Sequence, residues 1–409
     1  MTVLDHTAGF ALAEGGVCAP KGFLSAGVSA GLKASGRRDL ALIVAEECVP
    51  AAGVFTTNKV AAAPVIVSRR HIANGCARAV VINAGNANAC TGPQGELDAR
   101  ATAVAVGEAL LCSAEQVIVA STGVIGVPLP VERLLASVPG AAEELDNRSG
   151  TDAAEAIMTT DTFPKETAVS LEIAGRRVTV GGMAKGSGMI APSMATLIAV
   201  LTTDAPLTSE GCDAALRLAV AQSFNRVTVD SDTSTNDMAV LLASGASGGE
   251  TIDSDSDDFA LIASAITAVA SELARMIARD GEGATKLVTV RVSGAASDAD
   301  ADMAAFAVAN SPLVKTALFG GDANWGRVAG AIGRSGAEVD PAAFDIDFAG
   351  VRVCRGGTTT GFSEDEAAAA LSASEVEIAV NLNLGRGSAV VWTCDLSYEY
   401  VRINGEYRS

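Results

Sequence analysis

A mixed α/β chain is what this sequence predicts, from three observations. Short apolar runs between glycine turns fill residues 8–60, among them Leu40-Ala41-Leu42-Ile43-Val44-Ala45 and Ala51-Ala52-Gly53-Val54-Phe55. They read as strands and hairpins. Helix-like stretches near 95–111, 208–222, 257–279 and 363–372 are interleaved with apolar strands at 117–120, 287–292 and 375–383. With 409 residues, 49% hydrophobic and 19% charged, the chain has ample material for a folded core. No repeat, linker or low-complexity tract imposes a flexible division.

Composition excludes several classes of function. The formal charge is −19, from 48 acidic and 29 basic residues, which argues against nucleic acid or an anionic membrane as partner. The longest apolar candidate, Phe259 to Ala270, is followed by Glu272, Arg275 and Arg279 and reads as a partly buried helix, not a span. The first residues carry Asp5 and no basic segment ahead of an apolar one, unlike a signal peptide. Eight cysteines (18, 48, 76, 90, 112, 212, 354, 394) show no C-x-x-C spacing. They predict reduced, buried small residues of a cytosolic protein. The two histidines, His6 near the terminus and His71 after Arg69-Arg70, lie outside any motif of a Ser-His-Asp or Cys-His catalyst. His71 reads as a solvated helix residue. Zinc would lack its usual ligands, and no metal or organic cofactor is expected.

Taken in order, the chain next presents Ala79-Val80-Val81-Ile82 running into Asn83-Ala84-Gly85-Asn86-Ala87-Asn88. This is a buried strand leading to a polar loop whose amides need partners. Ser121-Thr122-Gly123 follows the strand at 117–120. A glycine allows its amide close approach to a ligand, and a neighbouring hydroxyl adds a second donor, as a developing oxyanion requires; a Thr-Gly pair is also an ordinary turn. Met158-Thr159-Thr160-Asp161-Thr162 is a second hydroxyl-rich turn, and residues 167–180 read as a hairpin.

The hairpin leads to Gly181-Gly182-Met183-Ala184-Lys185-Gly186-Ser187-Gly188, a predicted loop, and then to the apolar run Leu197-Ile198-Ala199-Val200-Leu201. Thr196 sits at the join. Its hydroxyl could attack the Ala195 carbonyl, giving an ester whose hydrolysis frees the Thr196 α-amine. That amine, with an ordinary pKa of about 7.7–8.0, could then act as base for its own hydroxyl. A threonine opening a strand is equally an ordinary β-branched residue in a sheet. Gly186-Ser187-Gly188-Met189-Ile190-Ala191 also fits the dinucleotide fingerprint, but Pro192 and the strand that follows leave no helix for it to open.

Beyond lie the polar run Ser223–Asp237 and Asp253–Asp258, neither spaced as a calcium loop, the acids of the second favouring the start of the 257–279 helix. Glu282 stands between two glycines, Ser311–Arg327 reads as a helix then a glycine-rich turn, and the tail 395–409 alternates like a strand.

The string Lys185-Gly186-Ser187-Gly188-Met189-Ile190-Ala191-Pro192-Ser193-Met194-Ala195-Thr196 with the run after it resembles the self-cleavage segment of the ornithine acetyltransferase family, the glutamate N-acetyltransferases or ArgJ proteins. Phe55–Asn58, Ala79–Gly92, Ser223–Asp237 and Ser311–Arg327 extend the resemblance over nearly the whole chain. It implies layered sheets covered by helices, superficially like other N-terminal-nucleophile enzymes, and cleavage into chains 1–195 and 196–409 that assemble as α2β2. It implies Thr196 as nucleophile, and Thr122 and Gly123 as oxyanion hole. Substrate contacts would come from Thr159, Lys185, Glu282, Asn404 and Ser409. Glu282 would hold the substrate ammonium or steady the Thr196 amine, and Lys185 is chosen for the substrate carboxylate against the alternative of a solvated loop lysine. The implied reaction moves acetyl from N-acetylornithine to glutamate through acetyl-Thr196; acetyl-CoA would be a second donor in a bifunctional enzyme. Rival expectations are a self-cleaving aminopeptidase of the same architecture and an unprocessed binding protein.

Overall fold

The computed structural model describes residues 9–191 and 197–406. Among these, residues 9–225 and 232–277 form one compact unit and residues 226–231 and 278–406 a second.

The first unit is built on a nine-stranded sheet. Its strands are β1 (Ala11–Ala13), β2 (Phe23–Val28), β3 (Leu40–Phe55), β4 (Cys76–Asn86), β5 (Val117–Val124), β6 (Lys165–Ile173), β7 (Arg176–Lys185), β8 (Ile198–Thr203) and β9 (Met238–Ala243). They run in the order β1-β6-β7-β8-β9-β3-β4-β5, with β2 on β3. The β4–β5 and β8–β9 pairs are parallel. Helices α1 (Ala63–His71), α2 (Gly92–Leu110), α3 (Val131–Glu143), α4 (Gly150–Ala156), α5 (Ser209–Gln222) and α6 (Phe259–Arg279) accompany it.

The unbroken apolar strands follow from burial on both faces. In β3, β4 and β5 the period of two sends Ala41, Ile43, Val80, Ile82, Ile118 and Ala120 into one core. Leu40, Leu42, Val44, Ala79, Val81, Val117 and Val119 enter another. The two runs read as separate strands, 40–45 and 51–55, are one strand. Its pairing register with β4 shifts between Val44 and Val49, and residues 51–55 then pair with β9.

The same β3–β4 pairing overturns part of the cysteine reading. Cys48 and Cys76, 28 residues apart in sequence, are brought to a Cα separation of 6.0 Å and joined as a disulfide. Cys18, Cys212, Cys354 and Cys394 are buried free thiols as expected, whereas Cys90 is exposed. Burial pushes the Cys212 thiol up to about 12. The cytosolic expectation thus loses its support from uniformly reduced cysteines. His71 is likewise not a solvated residue: it is half-buried, its Nδ1 2.8 Å from the Val117 carbonyl. Helix α6 is long and apolar enough to cross a membrane, but 67% of its apolar window is buried in the fold.

The predicted hairpin at 167–180 is longer than expected. β6 and β7 pair from Ile173↔Arg176 to Lys165↔Ala184, so the glycines expected in a loop at 181–182 are strand residues. A Cβ on Gly181 would lie 1.9 Å from the Gly16 carbonyl oxygen, so glycine here serves close packing and not a turn.

The second unit holds a six-stranded sheet, ordered β13-β12-β11-β14-β10-β15, of β10 (Leu287–Ala295), β11 (Asp345–Phe348), β12 (Val351–Arg355), β13 (Thr358–Thr359), β14 (Glu375–Asn381) and β15 (Gly387–Cys394). Helices α7 (Asp298–Ala309), α8 (Pro312–Phe319), α9 (Trp325–Gly333), α10 (Glu364–Ala370) and α11 (Tyr398–Glu406) complete it. Val288, Val290 and Val292 of β10 share a core with Ala301, Ala305 and Val308 of α7. The turn expected after α8 is present but short, because Asn324 caps α9 by accepting the Arg327 amide. The tail is a helix, not the expected strand. Arg402 pairs with Glu399 and Glu406 at helical spacing, and Tyr398 and Val401 stay exposed, so the alternation never faces a sheet.

Candidate active site

Among the described residues, four of the predicted site residues lie in the first unit. Thr122 and Gly123 end β5, paired alongside Ala84 and Gly85 of β4. Thr122 is buried. Gly123 has φ +130°, and a Cβ would lie 2.4 Å from the Gly85 carbonyl carbon and 2.6 Å from the Asn86 nitrogen. Both the backbone conformation and the close strand contact exclude a side chain. Gly123→Ala should therefore destabilise the protein by about 1–3 kcal/mol, read as a lowered thermal midpoint.

The asparagine loop supports this strand end. Asn83 donates to the Asn86 carbonyl at 2.9 Å. Asn86 donates to the Val127 and Pro128 carbonyls, and Asn88 to that of Gly95. Each amide has a backbone acceptor, so the loop is a scaffold. Asn236 fastens it to the start of β9, donating to the Ala87 and Ser121 carbonyls at 2.6 and 2.8 Å.

Thr159 and Lys185 converge on Asp161, a residue the sequence reading gave no role. Asp161 is buried; Oδ1 accepts from Lys165 Nζ at 2.7 Å and from the Gly186 amide at 2.8 Å. Oδ2 accepts the Thr159 amide at 2.9 Å and lies 4.0 Å from Lys185 Nζ. Burial alone would raise the Asp161 carboxyl, but the ammonium groups of Lys185 and Lys165 outweigh it and hold the group well below the usual carboxylate range. Lys185 is thus the buried last residue of β7, and the solvated-lysine alternative fails.

A cavity of about 720 Å³ opens beside these groups, lined among others by Lys33, Arg37, Arg38, Thr159, Asp161 and Thr162. Lys33, also missed from sequence, joins the cavity to the β4–β5 strand ends. Its Cγ stands 3.3 Å from where a Gly85 Cβ would be. Its ammonium donates to the Arg38 and Ala156 carbonyls at 2.6 and 3.0 Å. Burial lowers its pKa to about 8, against the pull of Asp39 and Asp161. The signal that could have found Asp161 is an acid four residues before Lys165 in a hydroxyl-rich turn; Lys33 left none.

In the fingerprint-like string 186–191, residues 187–189 are bends and no helix opens, which removes the dinucleotide reading. Ala195 and Thr196 lie outside the described residues, as do Ser409 and His6. Leu197, next after Thr196, is described: its amide donates to Asp237 Oδ1 at 2.9 Å. Among the described residues no three His, Cys, Asp or Glu side chains gather as a metal-binding group.

The second unit brings its two predicted residues together directly. Asn404 Nδ2, on α11, donates to Glu282 Oε2 at 2.8 Å and to the Tyr400 carbonyl at 3.0 Å. Ser397 holds the neighbouring Gly283 carbonyl from the turn before α11. The helical tail is what places Asn404 against Glu282.

Comparison with known proteins bears on this arrangement. Residues 24–409 match the model of the ArgJ family. The arginine biosynthesis bifunctional protein ArgJ of Symbiobacterium thermophilum is 51% identical over 97% of this chain and 99% of its own. That of Caldanaerobacter subterraneus is 47% identical over 97% and 99%. A solved structure of the Bacillus halodurans ArgJ protein is 48% identical with a TM-score of 0.50; the match covers 51% of this chain and 98% of that one. With a family model covering almost all of the sequence and relatives near half identical from end to end, the chain belongs to the ArgJ family.

Proposed function

We propose that this protein is a self-cleaving acetyltransferase of arginine biosynthesis, cutting itself between Ala195 and Thr196 and then passing acetyl from N-acetylornithine to glutamate. The observation that carries the reading is the end-to-end identity with proteins named for bifunctional arginine biosynthesis. The name of those relatives supports acetyl-CoA as a second acetyl donor. The Bacillus halodurans chain corresponds, over 98% of its length, to only 51% of this one; a relative divided into two chains accounts for that proportion. Chains 1–195 and 196–409 would remain associated, as an α2β2 assembly in the cytoplasm.

In the reaction, Thr196 Oγ attacks the acetyl carbonyl while the Thr196 α-amine takes its proton. The Thr122 hydroxyl and the Gly123 amide stabilise the tetrahedral oxyanion. The C–N bond breaks, ornithine leaves with the proton, and acetyl stays as an ester on Thr196. The glutamate amine then attacks that ester through the same oxyanion. The acyl–Oγ bond breaks, the proton lost from the amine returns to Thr196 Oγ by way of the α-amine, and N-acetylglutamate leaves. Lys185 holds the substrate α-carboxylate, its ammonium oriented by Asp161, and Thr159 adds a hydroxyl. Glu282, held by Asn404, takes the substrate ammonium, and Ser409 is a further substrate contact. No cofactor is needed, because each step exchanges one acyl–heteroatom bond for another.

The test is direct. Mass spectrometry of purified protein should find two fragments summing to the whole, the second beginning Thr-Leu-Ile. Incubation with N-acetylornithine and glutamate should yield N-acetylglutamate and ornithine, and a parallel reaction with acetyl-CoA reads the second donor. Hydrolysis of N-terminal residues without transfer would favour the aminopeptidase instead.

A further inference from the structure

The loop between β2 and β3 places a half-buried cation in the wall of the cavity beside Thr159 and Asp161. Lys33 Nζ donates to the Arg38 and Ala156 carbonyls at 2.6 and 3.0 Å and, among the described residues, forms no ion pair. An ammonium has three N–H donors, so one is left for the cavity. The two acids that act on it are spent elsewhere. Asp39 gives Oδ1 to the Ala30 amide at 2.6 Å and Oδ2 to the Leu32 and Lys33 amides at 2.6 and 2.8 Å. Asp161 is held by Lys165, Lys185 and the Thr159 and Gly186 amides. A half-buried ammonium without a carboxylate of its own calls for an anion from outside the chain.

The proposed reaction supplies one. N-acetylornithine and glutamate share an α-carboxylate, given above to Lys185, but their side chains end in opposite charges. Glu282, proposed for the ornithine ammonium, would repel the side-chain carboxylate of glutamate, so the acceptor needs a cation of its own. Arg38 is already paired with Asp152 and Glu155 at 3.1 and 2.6 Å. Lys165 is fully buried against Asp161, and Arg37 is exposed to solvent. Lys33 remains. Its stem lies along Gly85, which pairs with Gly123 of the proposed oxyanion hole, so a glutamate acetylated at that strand end has a cation beside it for its side chain. We propose that Lys33 is the specificity-determining residue for the acceptor, its ammonium donating to the side-chain carboxylate of glutamate in the second half of the reaction. This inference rests on the acetyl-transfer reading.

The charge state of Lys33 agrees with the geometry. Burial lowers its pKa to about 8; Asp39 and Asp161 pull it up, while Arg37 and Lys185 push it down. At neutral pH the group is therefore mostly an ammonium, able to bind a carboxylate. Its proton is also held less firmly than that of a solvated lysine, whose pKa is about 10.4. The amine is thus open to mild chemical labelling, and a bound carboxylate would both cover it and raise its pKa.

Lys33→Met keeps an apolar stem against Gly85 and removes the charge. The parent should acetylate glutamate with kcat/KM at least about 10-fold above that for glutamine, which has the same shape without the charge. K33M should lose that preference, KM for glutamate rising about 10–100-fold while KM for glutamine changes by less than about threefold. The burst of ornithine from N-acetylornithine without acceptor reads the first half of the reaction alone, and should stay within about threefold of the parent. A merely structural role would lower both halves together and leave the preference intact. A parent that makes no N-acetylglutamate from N-acetylornithine would bring down the acetyl-transfer reading, and this inference with it. An active parent without the preference, or a K33M that retains it, would overturn only the role of Lys33. Should K33M fail to fold, reductive methylation of the parent decides, read by peptide mass spectrometry. N-acetylglutamate should protect Lys33 from labelling and N-acetylornithine should not; equal labelling in the presence of either would overturn the proposal.

Discussion

Thr196→Ala should remain one undivided chain and lose acetyl transfer by roughly 10⁴–10⁶-fold. The size of the loss follows from the proposed double use of one residue. Without its hydroxyl there is no attack on the Ala195 carbonyl, so no second fragment forms. The α-nitrogen then stays in an amide and cannot serve as a base, and no oxygen remains to carry acetyl. Fragment masses and N-acetylglutamate production read these effects separately. A variant that is uncut yet transfers acetyl would refute Thr196 as nucleophile; one that is cut would place the scission chemistry elsewhere. The fold should persist, since the β8–β9 pairing begins at Ile198 and Met238.

Asp161→Asn should cost about 3–5 kcal/mol of stability and reduce activity with it. Lys165 and Asp161 are both fully buried, and Lys185 is nearly so. Neutralising the acid leaves two ammonium groups in a low-dielectric interior facing an amide. The pH dependence has a definite sign. Burial opposes ionisation of Asp161, but the Lys185 and Lys165 charges outweigh it and depress the folded-state pKa. Its stabilisation is then fully present above the unfolded-state value of about 3.9 and is lost as pH falls toward the folded value. Urea denaturation of parent and variant should therefore differ most above about pH 4 and converge at more acid pH. A constant difference down to pH 2 would show that Asp161 acts by shape and not by charge.

Much of the architecture could be read from periodicity. Helices α2, α5, α6 and α10 and strands β5, β10 and β14 lie near where spacing put them, because their signals are local: apolar repeats, or a cap such as Thr208, which accepts the Gly211 amide at the start of α5. The errors share one cause. Gly181 and Gly182 suggested a loop because glycine is permissive, whereas the neighbouring Gly16 backbone is what excludes a side chain. The tail suggested a strand because its period of two was real, but no strand edge receives it. Helix α7 went unread although Ser297 caps it, since its buried face is mostly alanine and carries little hydrophobic contrast.

For the site, sequence supplied the identities that depend on chemistry: a hydroxyl ahead of an apolar strand, Thr122 beside Gly123, a lone acid between glycines. It could not supply the partners. Nothing in the residues around Asp161 says that Lys185, across the β6–β7 hairpin, shares its carboxylate. Nor does the tail say that Asn404 will meet Glu282, or the 223–237 run that its last acid will hold the Leu197 amide. Sequence by itself pointed to the family, the proposed reacting groups and the core strands, all of which depend on residue type and short-range spacing. Tertiary structure alone decided which charges are buried together and which cysteines meet. Those properties depend on distance and desolvation between segments far apart in the chain, and no local pattern encodes them.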